Sequence, residues 1–377
     1  MPGTWSIIGR VAPAPDVIVI GAGIVGCAIG RELARRGAAV KIFEARSVGA
    51  GATQASAGVL APYIEAHDRG PLFTLTVRSL EMYDRFVEEA AYESGIAIEY
   101  RRCGTLEVAT DPGSAVRLMQ MAVAYEGAGG MRWLDRDTVR REEPSLPDSI
   151  EGALLVPEHG YVGAAALTEA LAWAALRHGA QIEAAHRVTG VRPDGSTLLV
   201  ATDDGSLWRA DQVVVAAGSW SAQIASGDAA ARSVHPIRGQ LLRLRWPGDQ
   251  LSRVIWGPDC YLVPWQDGTV LVGATVEDVG FDERATAAGV RDLLDAACEL
   301  LPDAWRASFV DARAGLRPAS GDGLPIIGRS PSIPSLVYAT GHFRNGVLLA
   351  PLTARLVGDL VIDRRSDPLL WSVTPGR

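Results

Sequence analysis

The chain has 377 residues, 48% of them hydrophobic and 21% charged, with a formal net charge of −8 and a pI near 5.4. This excludes a disordered chain, a collagen-like repeat and a disulfide miniprotein, and the acidic balance argues against a nucleic-acid partner, whose binding domains are usually basic. No apolar run reaches the ~18 residues of a membrane span, so no membrane partner is expected. Cys27, Cys103, Cys260 and Cys298 are scattered without ligand spacing, which predicts no metal site and no disulfide framework, and fits a reducing, cytoplasmic compartment. At ~100–200 residues per domain, the length suggests two domains or one α/β unit with an inserted partner.

In chain order, Met1–Pro15 reads as a loose leader without the cationic start and apolar segment of a secretory signal. Asp16–Ile20 is a continuous apolar run after one acid, as in a buried parallel strand. The glycine turn Gly21-Ala22-Gly23-Ile24-Val25-Gly26 follows, then a helical pattern from Ile24 to Arg36 closed by Gly37, then a second apolar strand, Ala39–Phe43, ending at Glu44. Strand, glycine turn, helix, strand and acid form the dinucleotide fingerprint in its required setting. Gly21 permits the tight turn, Gly23 lets a pyrophosphate approach the backbone, and Gly26 lets the helix pack on the strand. The helix N-terminus offers free amides, and Glu44 can accept two hydroxyl protons from an adenosine ribose.

This fingerprint does not separate NAD from FAD. Arg46–Leu60 is rich in Gly, Ala, Ser and Thr, suited to lie along a pyrophosphate and a flat ring, or else a flexible surface loop. Further buried strands are expected at Asp211–Ala217 and Ser335–Ala339, with hairpin-like segments at Leu241–Trp246 and Thr269–Val272 between them. The parallel elements return only after long intervals. An α/β fold, α+β overall, is therefore expected: a Rossmann-like domain assembled from separated pieces, with an inserted domain of mixed or antiparallel sheet.

The segments VIVIGAGIVGCAIGRELA, FEA at 43–45, QASAGVLAP, VVVAAGSW, YLVP, VGATVE, GLRPASGDGLPIIG and ATGHFRNGVLLAP run from about residue 16 to about residue 360. In these the chain resembles the D-amino-acid-oxidase-type flavoproteins, glycine oxidases of the thiamine (thiazole) pathway most closely. The resemblance implies non-covalent FAD and the oxidative deamination of glycine or another small amino acid, such as sarcosine or a D-amino acid. Hydride passes from Cα to the flavin, giving an imine that hydrolyses to a 2-oxo acid and ammonia, and oxygen is reduced to hydrogen peroxide. A D-amino-acid dehydrogenase passing electrons to a quinone is the alternative, and a non-enzymatic role for FAD a third. Homo-oligomers are common among such relatives. No Cys follows Cys298, against a covalent flavin.

The resemblance also assigns residues. Arg317, in Gly315-Leu316-Arg317-Pro318, takes the substrate carboxylate, for which a permanently charged, bidentate guanidinium is suited. The Tyr261 hydroxyl reaches the same group, and Arg344 is a second cation that either touches substrate or orders its loop. At the cofactor, Gly21, Gly23, Ile24, Val25 and Gly26 meet the pyrophosphate, Ile24 and Val25 through their amides, with Glu44 and Ala45 at the adenosine. Ala52, Thr53, Ala57, Gly58 and Val59 follow the flavin. Val188 holds the adenine or is plain strand packing, and Gly218 ends a strand beside the cofactor. His342, Phe343, Arg344, Asn345, Gly346, Val347 and Leu348 form the flavin-binding stretch. Gly346 is expected to open a helix running to Leu360, its positive end at the flavin pyrimidine. Trp265, Asp259 and Val276 depart from the family pattern and are expected to bear on substrate size. The FAD domain is expected at 15–92, 152–222 and 313–377, the substrate domain at 93–151 and 223–312.

Overall fold

Val17–Ile20 is apolar at every position because the sheet it joins is covered on both faces. Val17 and Val19 face a core built with helices Ile24–Arg35, Tyr83–Ser94, Ala164–Arg177 and Ala350–Val361, whereas Ile18 and Ile20 face a three-stranded antiparallel meander formed by Val188–Asp194, Thr197–Thr202 and Leu207–Ala210. The strand pairs in parallel with Val40–Phe43 on one side and Gln212–Val215 on the other. Gln181–Glu183 and Leu336–Thr340 extend the parallel sheet, and Ile326–Arg329 closes it as an antiparallel edge, making six strands. This computed structural model describes residues 15–65, 69–125, 130–228, 230 and 233–377. The expected leader lies outside them except for Pro15.

A second sheet of eight strands is mixed, as expected of the inserted unit. Val254–Trp256 runs parallel to Thr105–Ala109, and the other neighbours are antiparallel. Alternation gives it two different faces. Leu242, Leu244, Leu262, Val270 and Val272 pack behind it against helix Ala287–Leu300, while Leu241, Val263 and Leu271 face forward, onto Ala57 and Tyr161. The expected domain boundary at 151/152 falls immediately before strand Gly152–Val156 of this sheet, and the one at 312/313 falls inside its edge strand Ser308–Ala319.

Candidate active site

A cavity of about 580 Å³ takes its wall from both large sheets. At one end stands the glycine turn. Gly21 adopts φ +105° with the Ala216 carbonyl pressed against it, and a Cβ on Gly26 would lie 1.9 Å from the Gly21 carbonyl oxygen. Gly23 differs: a Cβ there would meet only Thr53 Oγ1, at 3.6 Å, so its missing side chain opens space in the cavity rather than packing. Ile24 donates its amide to Thr53 Oγ1 at 3.2 Å, so of the two amides expected to face a pyrophosphate, it is that of Val25 that has no acceptor among the described residues. Glu44 accepts the amides of Ala22 and Arg46 at 2.8 and 2.9 Å, and a carboxylate held this way retains lone pairs for hydroxyl donors. Ala45, Val188 and Gly218 stand in the same wall; Gly26 lies behind it.

Further along, Ala52 and Thr53 belong to the 3-10 turn Ala52–Ala55, and Ala57, Gly58 and Val59 continue the wall. Opposite them come His342, Phe343, Arg344, Asn345, Gly346 and Val347. The regular helix begins at Ala350, not at Gly346. Phe343–Asn345 is a 3-10 turn, and Pro351 sits in the first helical turn, where its lack of an N–H is harmless. The amides of Gly346 and Val347 consequently have no acceptor among the described residues and lie at the wall. Leu348 does not line it: its side chain is in the helical core and its carbonyl accepts from Ser79 Oγ at 2.6 Å. Thus small side chains, open backbone at Gly23, spare amides and an acid fit an extended dinucleotide.

Arg317 and Tyr261 meet at the other part of the cavity, seated in the places of two missing side chains. A Cβ on Gly239 would lie 2.1 to 2.3 Å from the Arg317 guanidinium, and one on Gly273 2.5 Å from the Tyr261 hydroxyl. Arg317 donates through Nη1 to the carbonyls of Thr275 (2.8 Å) and Arg238 (3.4 Å), and no described carboxylate forms an ion pair with it. Burial lowers its pKa, with the electrostatic influence of Tyr261 acting the other way. A guanidinium remains protonated all the same, so this is a buried positive charge held by neutral oxygens, a ready acceptor of a carboxylate. The Tyr261 hydroxyl has no hydrogen-bond partner among the described residues, and burial raises its pKa against the pull of Arg317. Arg344 is paired, its Nη2 2.9 Å from Glu65 Oε1.

Glu65, Arg46, Trp220 and Glu283 were not singled out by sequence, yet all line the cavity. Arg46 Nη1 meets Glu283 Oε2 at 2.9 Å, its guanidinium lies 4.8 Å from the Trp220 ring, and Phe281 tilts against Trp220 at 5.8 Å. Trp220 carried a signal as the end of VVVAAGSW, and Arg46 as the start of the segment expected along the cofactor. The three departures expected to bear on substrate size lie away from the cavity wall. Val276 is 59% exposed, Asp259 is exposed, and Trp265 packs on Tyr161 at 5.5 Å behind the wall.

Buried His342 bonds Thr353 Oγ1 through Nε2 at 3.1 Å, and burial pulls its pKa down to about 4. Burial likewise pulls His159 down to about 3. In the unfolded chain both sit near the ordinary ~6.5, so the unfolded state binds more protons below that value. Their stability contribution is thus complete above ~pH 6.5 and is lost as pH falls toward the folded values. Urea midpoints should therefore decline from about pH 6.5 downward, and His342→Gln should flatten the upper part of that decline.

Fold and cavity together define a dinucleotide-binding protein whose cofactor lies between a Rossmann-like layer and a mixed sheet. The chain belongs to the FAD dependent oxidoreductase family, whose model matches residues 16–360. It is 36% identical over 349 residues to glycine oxidase of Geobacillus kaustophilus, covering 92% of each chain. The crystal structure of that protein superposes with a TM-score of 0.91 at 35% identity, over 96% of this chain and 98% of that one. The bifunctional protein ThiO/ThiG of Nostoc sp. is 36% identical over 362 residues, 94% of this chain but 54% of that protein, so this chain spans about half of it. Iminodiacetate oxidase from Chelativorans sp. BNC1 superposes with a TM-score of 0.88 at 30% identity, over 95% and 98% of the two chains. The cofactor is FAD, and the mixed α/β architecture is that of these flavoproteins.

An occupant of the cavity would lie beside the Arg46–Glu283 pair in its wall. Both side chains are partly exposed, and such a pair contributes ~0.2–1 kcal/mol. Glu283→Ala should therefore speed FAD release by about 2- to 5-fold, seen as faster recovery of flavin fluorescence on dilution, and raised salt should bring the parent protein toward the variant.

Proposed function

We propose that the protein is an amino acid oxidase that takes glycine, or another small amine beside a carboxylate such as sarcosine or a small D-amino acid, with molecular oxygen as final acceptor. The observation that carries this reading is Arg317: a buried guanidinium with only neutral carbonyl partners, next to an unpartnered tyrosine hydroxyl, in the wall of an FAD cavity. Its Nη1 is spent on Thr275, which fixes the plane of the group and leaves Nη2 for one carboxylate oxygen. Tyr261, kept protonated by burial, donates to the same carboxylate. Two contacts on the acid end leave the Cα–H with few orientations, which is the entropic part of the rate.

Bound FAD supplies the acceptor for the hydride leaving Cα, turning the neutral amine into an imine that water hydrolyses to a 2-oxo acid and ammonia, while oxygen takes the electrons as hydrogen peroxide. The spare amides of Gly346 and Val347 offer hydrogen bonds to negative charge gathering at that part of the cavity. The Glu65 pair supports the second of the two roles open to Arg344, ordering the wall. The two domains correspond on this reading to the two large sheets, with strands Gly152–Val156 and Ser308–Ala319 belonging to the mixed one, and a homo-oligomer in the cytoplasm and a place in thiazole synthesis for thiamine complete it. No described helix is long and apolar enough to cross a membrane.

The test is anaerobic titration of the yellow protein with glycine, sarcosine and a panel of D-amino acids, followed by a peroxide assay in air. Bleaching by a small amino acid and peroxide in air support the reading. Bleaching without peroxide, with turnover restored by a soluble quinone, would transfer it to a dehydrogenase. A protein that no amino acid bleaches is not an amino acid oxidase.

A further inference from the structure

The Thr275 carbonyl that holds Arg317 is itself held from behind. After strand Thr269–Gly273 the chain continues antiparallel along strand His235–Arg245. Thr275 donates its amide to the Gln240 carbonyl at 3.2 Å, and Glu277 and Arg238 exchange both backbone bonds at 2.8 and 3.0 Å. Those bonds place the segment, but they leave its polar side chains to be satisfied. Arg238 and Gln240 flank Gly239 on the strand, so by alternation their side chains go to the face opposite the one over which Arg317 lies. There they converge on one carboxylate. Glu277 accepts from Arg238 Nη2 at 2.5 Å, from Gln240 Nε2 at 2.7 Å and from Thr275 Oγ1 at 2.5 Å. Thr275 Oγ1 in turn accepts the Gln240 amide at 2.9 Å, so Thr275 is pinned by side chain and main chain alike. Gln240 continues the network to Thr286, the N-cap of helix Ala287–Leu300, and Asp282 stands 2.9 Å from Arg238 Nη1.

We propose that Glu277 is a positioning residue for the substrate carboxylate: from behind the sheet it fixes the Thr275 carbonyl, which sets the plane and reach of Arg317. The inference rests on the reading of Arg317 given above. The logic is one of geometry. Among the described residues Arg317 has no acid to hold it and bonds two carbonyls, Thr275 O and Arg238 O, both on the two segments that Glu277 ties together. Without that tie, the 274–277 segment keeps its backbone bonds to strand His235–Arg245, but Thr275 Oγ1 loses its acceptor and is left with the Gln240 amide alone. Arg238 then has Asp282 alone as partner. The guanidinium is left with an acceptor whose direction varies, and a bidentate grip is sensitive to direction.

The experiment uses the FAD-loaded protein and acetate, a carboxylate without an amine, whose binding is read from perturbation of the flavin absorbance. Glu277→Gln and Glu277→Ala are compared with Arg317→Ala, with flavin content and thermal midpoint recorded for each. Glu277→Ala should raise the acetate Kd about 10-fold with FAD affinity unchanged, and Glu277→Gln, which keeps an acceptor for Arg238 and Thr275, should recover part of it. With glycine the loss should fall on KM rather than kcat. In the double variant with Arg317→Ala the two losses should not add, since one residue acts through the other. An unchanged acetate Kd in both Glu277 variants, or losses that add in full, overturns the inference while leaving Arg317 in its role. If Glu277→Ala does not fold, the Gln variant decides alone. If Arg317→Ala leaves acetate binding intact, the reading of Arg317 itself falls, and this outcome is distinct from the others.

Discussion

Gly239→Ala should damage turnover nearly as much as removal of the Arg317 guanidinium, in a protein that still folds and still binds FAD. The added Cβ would sit 2.1 to 2.3 Å from the guanidinium, while on its other side the Thr275 carbonyl already lies at 2.8 Å. What must give way is the end of a flexible side chain, so the fold survives and the grip does not. Hydrogen bonds to a charged group contribute ~1.5–3 kcal/mol each, so losing the one that Nη2 makes puts the fall in kcat/KM at roughly 10- to 10²-fold, most of it in KM. Steady-state peroxide formation with glycine measures this, beside Arg317→Ala. A Gly239→Ala enzyme with the parent KM would show that the guanidinium works from somewhere else.

The fingerprint glycines should separate into two kinds when each is changed to Ala. Gly26→Ala forces a Cβ to 1.9 Å from a backbone oxygen of the same turn, where neither atom can rotate away. It should fail to accumulate, or melt far below the parent, as expected for a severe core clash of ~4 kcal/mol or more. Gly23→Ala meets nothing nearer than 3.6 Å, so the empty protein should be as stable as the parent. Its methyl group enters the cavity beside Thr53 Oγ1 instead, and FAD affinity should drop by about 10²-fold or more, giving a folded, colourless product. Flavin-to-protein absorbance ratios and melting of the FAD-stripped forms report both outcomes. A yellow, stable Gly26 variant would contradict the packing described for that turn.

This contrast also explains what could be read in the chain beforehand. The first strand, turn, helix and second strand were legible because Gly26 answers to a contact inside its own turn, and the apolar runs to burial on both faces of one sheet. Arg317 and Tyr261 became legible through the family pattern, but not the seats made for them by Gly239 and Gly273, which exist only once the strands are in register. The start of the last helix was misplaced because Gly346–Leu349 has the apolar look of a helix while its amides are left open, with Pro351 marking the true first turn. Glu65 and Glu283 carry no local pattern. Each is fixed by a partner more than two hundred residues away, Arg344 at a separation of 279 and Arg46 at 237. Val276 was expected to bear on substrate size because it departs from the family pattern, yet it is largely exposed.

On the proposed reading, Arg317 recognises only the part of the molecule that the reaction leaves untouched. A 2-oxo acid departs carrying the same acid group by which its parent amine arrived, so oxidation by itself does not loosen the hold on it. On this reading any short monocarboxylic acid in the cell competes for the same grip, and the enzyme's working speed follows the ratio of amino acid to such acids around it. Discrimination then rests on the amine and on the room beside Cα.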